Sequence, residues 1–147
     1  MTQAQRIAAF LAKFDPEIAR QARAARRKLR RMMPTAVELI YDNYNALVFG
    51  FAPDEHASGA ILSIALYPRW VTLFFLQGRN LPDPEGLLEG AGQIVRSIRL
   101  ESERDLDKPP VRALMAQAIA RAREPLPAKG RGRTVIRSVS ATQRPRR

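Results

Sequence analysis

The chain has 147 residues and no cysteine, so it can bury one core, while disulfides, thiol nucleophiles and zinc–thiolate sites are excluded. It carries 25 Lys and Arg against 14 Asp and Glu, a formal net charge of +11. Residues 121–147 hold nine of the basic residues and one acid, so a basic tail follows a nearly balanced body. The first residues lack the charge pattern and length of a signal peptide, so we expect a cytoplasmic protein.

Two helices are predicted at the start of the chain. Apolar residues recur at helical spacing over Thr2–Phe14, which predicts an amphipathic helix. The pair Asp15-Pro16 ends this helix, since the residue before a proline avoids helical conformation, and the same pair begins a second helix. The second helix is expected to run to about Met33, because Pro34 cannot continue it.

The second helix is strongly basic between Arg20 and Arg31, where seven of twelve residues are Lys or Arg and none is acidic. Helical spacing places most of them on one side, as a cationic ridge that can hold the phosphates of a nucleic acid. The pattern is also typical of a solvated helix face, and both interpretations stay open. The ridge consists of Arg20, Arg23, Arg27, Arg30 and Arg31, with Arg26 and Lys28 at its flanks.

Strands are predicted through the middle of the chain. Pro68 and Arg69 interrupt the apolar run Ala60–Leu76, which favours a hairpin over a membrane helix, because a central Arg costs about 2.5 kcal/mol or more in a bilayer. The predicted strands are Val37–Tyr41, Ala46–Phe51, Ile61–Leu66, Trp70–Leu76 and Ile94–Leu100. The predicted core positions are Leu39, Leu62, Ile64, Leu66, Leu73 and Ile98.

A final helix is predicted over Asp107–Arg123, with Pro125 and Pro127 beyond its end. Helices at both ends of a run of short strands indicate an α+β fold. We expect a single antiparallel or mixed sheet of about five or six strands, with helices packed mainly on one face. This domain is assigned to residues 1–124, and residues 125–147 form the basic tail.

One segment of the basic tail has the composition of a strand. Thr134–Val139 is rich in β-branched residues and contains neither Gly nor Pro. The edge of an open sheet benefits from being covered, so we predict that this segment adds to the sheet, with Val135 and Ile136 facing opposite ways. Only about Gln143–Arg147 is then expected to hang free.

A small ligand or an anion could bind where polar and aromatic residues meet the predicted sheet. Ser63 and Ala65 leave room on one face of the central hairpin. Arg96 lies in the apolar register of its strand, so if buried it must pair, either with a structural carboxylate or with a bound anion. The candidate ligand-binding residues are Tyr44, Asn45, Tyr67, Trp70, Arg96 and Arg99.

No catalytic signature is present in the sequence. It contains no nucleophile elbow, no standard phosphate loop and no metal-ligand spacing. The single histidine, His56, lies in a predicted turn over Pro53–Gly59 and is expected to be solvated. The sequence therefore predicts a protein that is not an enzyme and has no cofactor or metal site.

Four segments and the tail carry a resemblance to a known family. The segments are YDNYNALVFGF, ILSIALYPRWVTLFFL, LLEGAGQIVRSIRL and VRALMAQAIARA, and the tail is GRGRTVIRSVSATQRPRR. Over about Phe14 to Ala122 the chain resembles the YdhG-like bacterial family, a domain of unknown function. One branch of that family has been proposed to act as frataxin-like iron chaperones, which implies clustered acidic oxygen ligands. The acids that would serve here are Glu101, Glu103, Asp105 and Asp107.

Three hypotheses for function follow, in this order. The first is a non-catalytic module that binds a small ligand or an anion at the sheet. The second is a nucleic-acid-associated protein that uses the ridge and the basic tail, which continuity of both on one positive face would favour. The third is frataxin-like intracellular iron handling, which clustering of the four acids with another acid would favour.

Overall fold

The computed structural model describes residues 1–56 and 59–147. These residues contain three α-helices and six strands. The predicted α+β fold is confirmed. The helices are α1 (Gln3–Ala12), α2 (Pro16–Met32) and α3 (Pro109–Ala120). The strands are β1 (Val37–Asp42), β2 (Leu47–Ala52), β3 (Leu62–Leu66), β4 (Val71–Phe75), β5 (Arg96–Leu100) and β6 (Thr134–Val139). Short 3-10 helices occupy Gly78–Asn80 and Glu103–Asp107, and residues 57 and 58 of the predicted turn lie outside the described residues.

A capping box defines the start of α1, and a proline defines the start of α2. The Thr2 hydroxyl accepts the Gln5 N–H, and the Gln5 side chain accepts the Thr2 N–H, so α1 starts with a reciprocal cap. Pro16 occupies the first turn of α2, where its missing N–H costs nothing, and Glu17 follows it near the positive end of the helix dipole. The Asp15 side chain makes no capping bond.

The six strands form one mixed sheet in the order β5-β4-β3-β2-β1-β6. All four sequential pairs from β1 to β5 are antiparallel, whereas β6 runs parallel to β1. The predicted hairpin joins β3 to β4 through a turn in which the Tyr67 N–H donates to the Trp70 carbonyl at 2.9 Å. Pro68 stands at the second position of that turn, as its fixed φ favours.

The helices pack against one face of the sheet. Buried residues of all three helices join one apolar cluster with Leu62, Ile64, Leu66 and Leu73, which are each 0% exposed. Ile98 is half-buried against the same cluster. The burial predicted for these five positions is therefore complete at four and partial at one. Burying a side chain of this size contributes about 1.5–3 kcal/mol.

Leu39 is buried as predicted but on the opposite face, where it contacts Val37 and Ala52. Strand alternation then places Glu38 and Asp42 on the helix side of β1, on either side of Ile40. Glu38 is 2% exposed and Asp42 is 0% exposed. Two carboxylates are thus buried on one strand, and each needs a cationic partner.

The basic tail returns to the sheet as predicted. β6 covers Thr134–Val139, with Val135 against the Leu39 cluster and Ile136 against the main core. The expectation that Gln143–Arg147 hangs free is wrong, because Arg146 is 5% exposed and paired with Asp42. Among the described helices, none combines the length and the apolar character needed to cross a bilayer.

Candidate anion-binding surface

The ridge predicted on α2 exists, but one of its members is neutralised. At 3.6 residues per turn, the five ridge arginines fall within an arc of about 100° around the helix axis. Arg20 lies 2.7 Å from a carboxylate oxygen of Glu17 and 2.9 Å from one of Glu103. These hydrogen bonds lower the pKa of both carboxyl groups and raise the pKa of Arg20. Arg20 is therefore committed within the protein.

The two flanking cations of the ridge are also paired. Arg26 turns toward the sheet, where its Nε and Nη2 donate to the two carboxylate oxygens of Glu38 at 2.7 and 2.8 Å. Lys28 turns the other way, and its Nζ lies 2.6 Å from a carboxylate oxygen of Asp107. Both cations hold the helix to its neighbours.

Four ridge arginines remain without a carboxylate partner in the described part of the chain. All four are exposed, and none is drawn toward the core. Their guanidinium groups can make two-point contacts with phosphate or carboxylate oxygens. They are Arg23, Arg27, Arg30 and Arg31.

A cleft of about 460 Å³ brings the end of the ridge to the basic tail. Arg30 and Arg31 line it from α2, and Arg131 and Arg133 line it from the segment that leads into β6. Arg133 is ion-paired with Glu55, which leaves Arg131 as the tail cation that faces the cleft without such a pair among the described residues. The rest of the lining is mixed: Met33, Pro34, Ala36 and Phe51 are apolar, and Glu38 and Thr134 are polar.

Gly132 allows the tail to approach the cleft this closely. Its N–H donates to the Pro34 carbonyl at 2.9 Å, and the next carbonyl, that of Arg133, accepts the Glu38 N–H at 2.8 Å. A Cβ at position 132 would lie 1.8 Å from the Ala36 carbonyl oxygen. Only glycine fits where two backbones are this near.

Two further recesses extend the basic surface on either side of the cleft. A groove of about 210 Å³ between α1 and α2 is lined by Arg23, Arg26, Arg27 and Arg30 together with apolar residues of α1. A recess of about 320 Å³ toward α3 includes Arg31 and Arg112. Arg30 is common to the groove and the cleft, and Arg31 is common to the cleft and the recess. The ridge and the tail therefore form one surface, which we call the basic surface.

The aromatic candidates gather at the other end of the sheet. Tyr67 and Trp70 flank the β3–β4 turn with ring centroids 5.9 Å apart, and the Arg99 guanidinium lies 3.8 Å from the Trp70 ring centroid. Arg99 thus covers a face of the indole that a flat ligand would need. Tyr44 and Asn45 are exposed in the neighbouring β1–β2 turn.

Arg96 does not join this group. It pairs with Phe75 at the opposite end of β4, and its Nη1 donates to the carbonyls of Gly92 and Val95 at 2.6 and 2.9 Å. No carboxylate among the described residues pairs with its guanidinium. Its hydrogen bonds instead stabilise the loop that precedes β5.

The four acids after β5 are dispersed among cations. Glu103 pairs with Arg20, Asp107 pairs with Lys28, and Asp105 pairs with Lys108 at 3.0 Å. Burial acts to raise the pKa of Asp105, but the Glu101 N–H and Lys108 together lower it. Within residues 1–56 and 59–147, no group of three or more acidic or histidine side chains is placed to hold a metal ion.

Sequence reasoning did not identify Arg112 as part of the basic surface. It is a single arginine on the exposed side of α3, and no periodic pattern marks it. Arg131 was included only as part of the basic tail, although the GRGR segment around it signals a close backbone approach.

Comparison of the chain with protein-family models, with curated proteins and with solved structures gave no match. The resemblance to the YdhG-like family remains an expectation from the sequence.

Proposed function

We propose that this protein is a non-catalytic module that binds nucleic acid through its phosphates on the basic surface. One observation carries the proposal: the unpaired arginines of α2 continue, through Arg30 and Arg31, into a cleft that also contains Arg131 of the tail. Of the three hypotheses, this is the one that the geometry supports best, since ridge and tail share a surface. The location we propose for it is the cytoplasm.

The spacing of the arginines suits an extended polyanion better than a single phosphate. The eight residue-to-residue steps from Arg23 to Arg31 advance about 12 Å along the helix at 1.5 Å per residue. Duplex DNA presents one negative charge per about 1.7 Å of its axis, so several phosphates would lie within reach of this row. The groove, cleft and recess would lengthen the contact on both sides.

Such contacts would be insensitive to base sequence. Guanidinium groups on an open helix face meet phosphate oxygens, which fix position on the nucleic acid but carry no sequence information. We therefore expect affinity in the range typical of non-specific binding, about 10⁻⁴ to 10⁻⁶ M at physiological salt.

The other two hypotheses have less support. The Trp70 face that would stack on a small ligand is covered by Arg99, and Arg96 is engaged with backbone carbonyls at a distance from it. Three of the four acids that iron handling would use, Glu103, Asp105 and Asp107, are each paired with a cation.

The proposal is tested by fluorescence anisotropy with a labelled oligonucleotide of about 20 nucleotides, single-stranded and duplex, at salt from ~50 to ~200 mM. If Arg23, Arg27, Arg30, Arg31 and Arg131 each contact a phosphate, log affinity for the duplex should fall with log salt with a slope of about −4.5, at roughly 0.9 per contact. The substitution Arg30→Ala/Arg31→Ala should weaken binding and reduce the slope by about 2.

The matched control is Arg69→Ala/Arg79→Ala, which removes the same charge from exposed arginines outside the basic surface. It should leave the slope unchanged. Equal losses in the two double variants would show that binding follows net charge alone and would refute the assignment to this surface. Absence of binding by the wild-type protein at ~50 mM salt would refute the function.

A further inference from the structure

The last eight residues close over the end of β1, and we call this segment, Ser140–Arg147, the latch. The Nη2 of Arg146 donates to Oδ1 of Asp42 at 2.8 Å and to the Asn43 carbonyl at 2.6 Å. Asp42 is fully buried, and a buried carboxylate needs cationic or hydrogen-bonding partners. The latch therefore supplies a counter-ion that the buried carboxylate requires.

Other contacts of the latch tie it to α1. Lys13 Nζ lies 3.1 Å from the other carboxylate oxygen of Asp42 and donates to the Gln143 side chain at 2.9 Å. Arg147 donates to the carbonyls of Ala12 and Lys13 at 3.3 and 3.2 Å, where a cation is favoured by the negative end of the helix dipole. The latch thus joins β1 and α1 through the tail.

Within the described part of the chain, the closed latch leaves two buried nitrogen atoms of Arg146 without hydrogen bonds. The Nε and Nη1 atoms of Arg146 are buried and have no hydrogen-bond partner among the described residues, although the guanidinium lies 5.5 Å from the Phe14 ring centroid. A buried donor without a partner is destabilising. These two atoms therefore offset part of the stabilisation that the ion pairs of the latch give.

β6 links the latch to the basic surface. Because β6 runs parallel to β1, Thr134 lies beside Glu38 at the cleft end and Val139 lies beside Asp42 at the latch end. At the cleft end, the Thr134 hydroxyl donates to Glu38 at 2.8 Å. Release of the latch removes the side-chain contacts beyond the Val139 end of this half-exposed strand, whose backbone pairs with β1 along its length.

We propose that Asp42 and Arg146 are positioning residues for anion binding: closing the latch docks β6 and so places Arg131 beside Arg30 and Arg31. A polyanion that bridges α2 and Arg131 binds the docked tail better. By linkage, binding of the polyanion shifts the latch toward its closed state, and the free energy of this shift equals the gain in binding free energy that the closed latch gives. The binding part of this inference rests on the proposed function, whereas the docking of β6 by the latch does not.

The docking step is tested by amide hydrogen exchange in full-length Arg146→Ala. We expect the Thr134–Val139 amides to exchange at least ~10-fold faster than in the wild-type protein, with the central strands unchanged. The matched control is Arg144→Ala, which removes the same charge from the same segment. Arg144 is exposed, and its guanidinium lies 5.7 Å from the Tyr44 ring centroid rather than in the buried pair. Equal exchange of β6 in the two variants would overturn the proposal.

The coupling is tested by a mutant cycle in the oligonucleotide anisotropy assay. Arg131→Ala/Arg133→Ala removes the tail cations of the cleft, and Arg146→Ala removes the latch. If the latch acts by positioning, Arg146→Ala weakens binding by no more than the tail variant does. Adding it to the tail variant then weakens binding no further. Additive losses would mean that Arg146 contacts the nucleic acid itself and would overturn the positioning role.

A second variant covers the case in which Arg146→Ala fails to fold, as judged by circular dichroism. Asp42→Asn/Arg146→Gln removes both charges together, so no buried charge is left alone. It should show the same fast β6 exchange and the same non-additivity. If wild-type protein binds no oligonucleotide, the coupling is overturned together with the proposed function, while β6 exchange still decides whether the latch docks the strand.

Discussion

Arg26 holds Glu38 at two points, with its Nε and Nη2 each within 2.8 Å of a carboxylate oxygen. Glu38 is 2% exposed, and the Thr134 hydroxyl is a third donor to it. The pair connects α2 to β1, and through Thr134 it connects both to β6. The guanidinium also lies 5.4 Å from the Phe49 ring centroid, over the core.

Arg26→Ala should lower the free energy of unfolding by about 3–5 kcal/mol, because Glu38 would stay buried without its cation. Urea unfolding measures this change. Arg27→Ala, one residue along the helix and exposed, is the control and should change stability by no more than about 0.5 kcal/mol. Replacing both members, as Arg26→Met/Glu38→Leu, should cost less than Arg26→Ala alone. A larger cost for the double variant would contradict this account.

Gly132→Ala should release the start of β6 while leaving the charge of the tail unchanged. The new Cβ would clash with the Ala36 carbonyl oxygen, so the hydrogen bond from residue 132 to Pro34 must break. We expect faster amide exchange over Thr134–Val139 and weaker oligonucleotide binding. The control is Gly92→Ala, whose Cβ would meet no atom nearer than 3.9 Å. Equal behaviour of the two variants would show that the close approach does not position the tail.

Much of the fold was predictable because its signals are local. Pro16 and Pro34 mark the limits of α2, Pro68 marks the central hairpin, and β-branched composition marks β6. The pairing of Asp42 with Arg146 has no such signal, since the two residues are 104 positions apart and each occurs in an ordinary polar context. High charge alone predicted a free end to the tail, and a long-range ion pair overrides that prediction.

The candidate site was predictable in outline for a similar reason. Helical spacing identified the ridge, but spacing cannot show that Arg20 is neutralised by Glu103, which is 83 positions away. Register placed Arg96 on the core side of β5, but its carbonyl partners depend on how the preceding loop folds. Residue type and spacing therefore located the cations, and tertiary contacts decided which of them remain available.

The free energy of unfolding should fall at acid pH, in part because Glu103 becomes protonated and loses its ion pair with Arg20. Its hydrogen bond with Arg20 lowers its pKa in the folded protein, so the stabilising contribution is complete above about pH 4.3, the ordinary glutamate value. It is lost as the pH falls through the lower, folded-state pKa. Glu103→Gln should therefore be less stable than wild type near pH 7, and the difference should shrink toward pH ~3. Thermal unfolding at a series of pH values measures it, and a difference that grows at low pH would contradict the assignment.

Leu62→Ala should lower the free energy of unfolding by about 2–5 kcal/mol, because it removes a fully buried side chain from the centre of the sheet. Val139→Ala, at a position 46% exposed in β6, should change it by no more than about 0.5 kcal/mol. Denaturant unfolding of both variants makes the comparison. Similar costs at the two sites would show that the core does not lie where the helices meet the sheet.

The parallel pairing of β6 with β1 has a consequence for synthesis of the chain. At about 5–20 residues per second on the ribosome, Asp42 is made roughly 5–20 s before Arg146. Once β5 has been made and until β6 docks, β1 is an edge of a five-stranded sheet, and unpaired strand edges readily pair with other chains. Fragments that stop before residue 134 keep this edge permanently. Translation through β6 therefore covers the buried strand β1 and leaves the half-exposed β6 as the outer strand on that side.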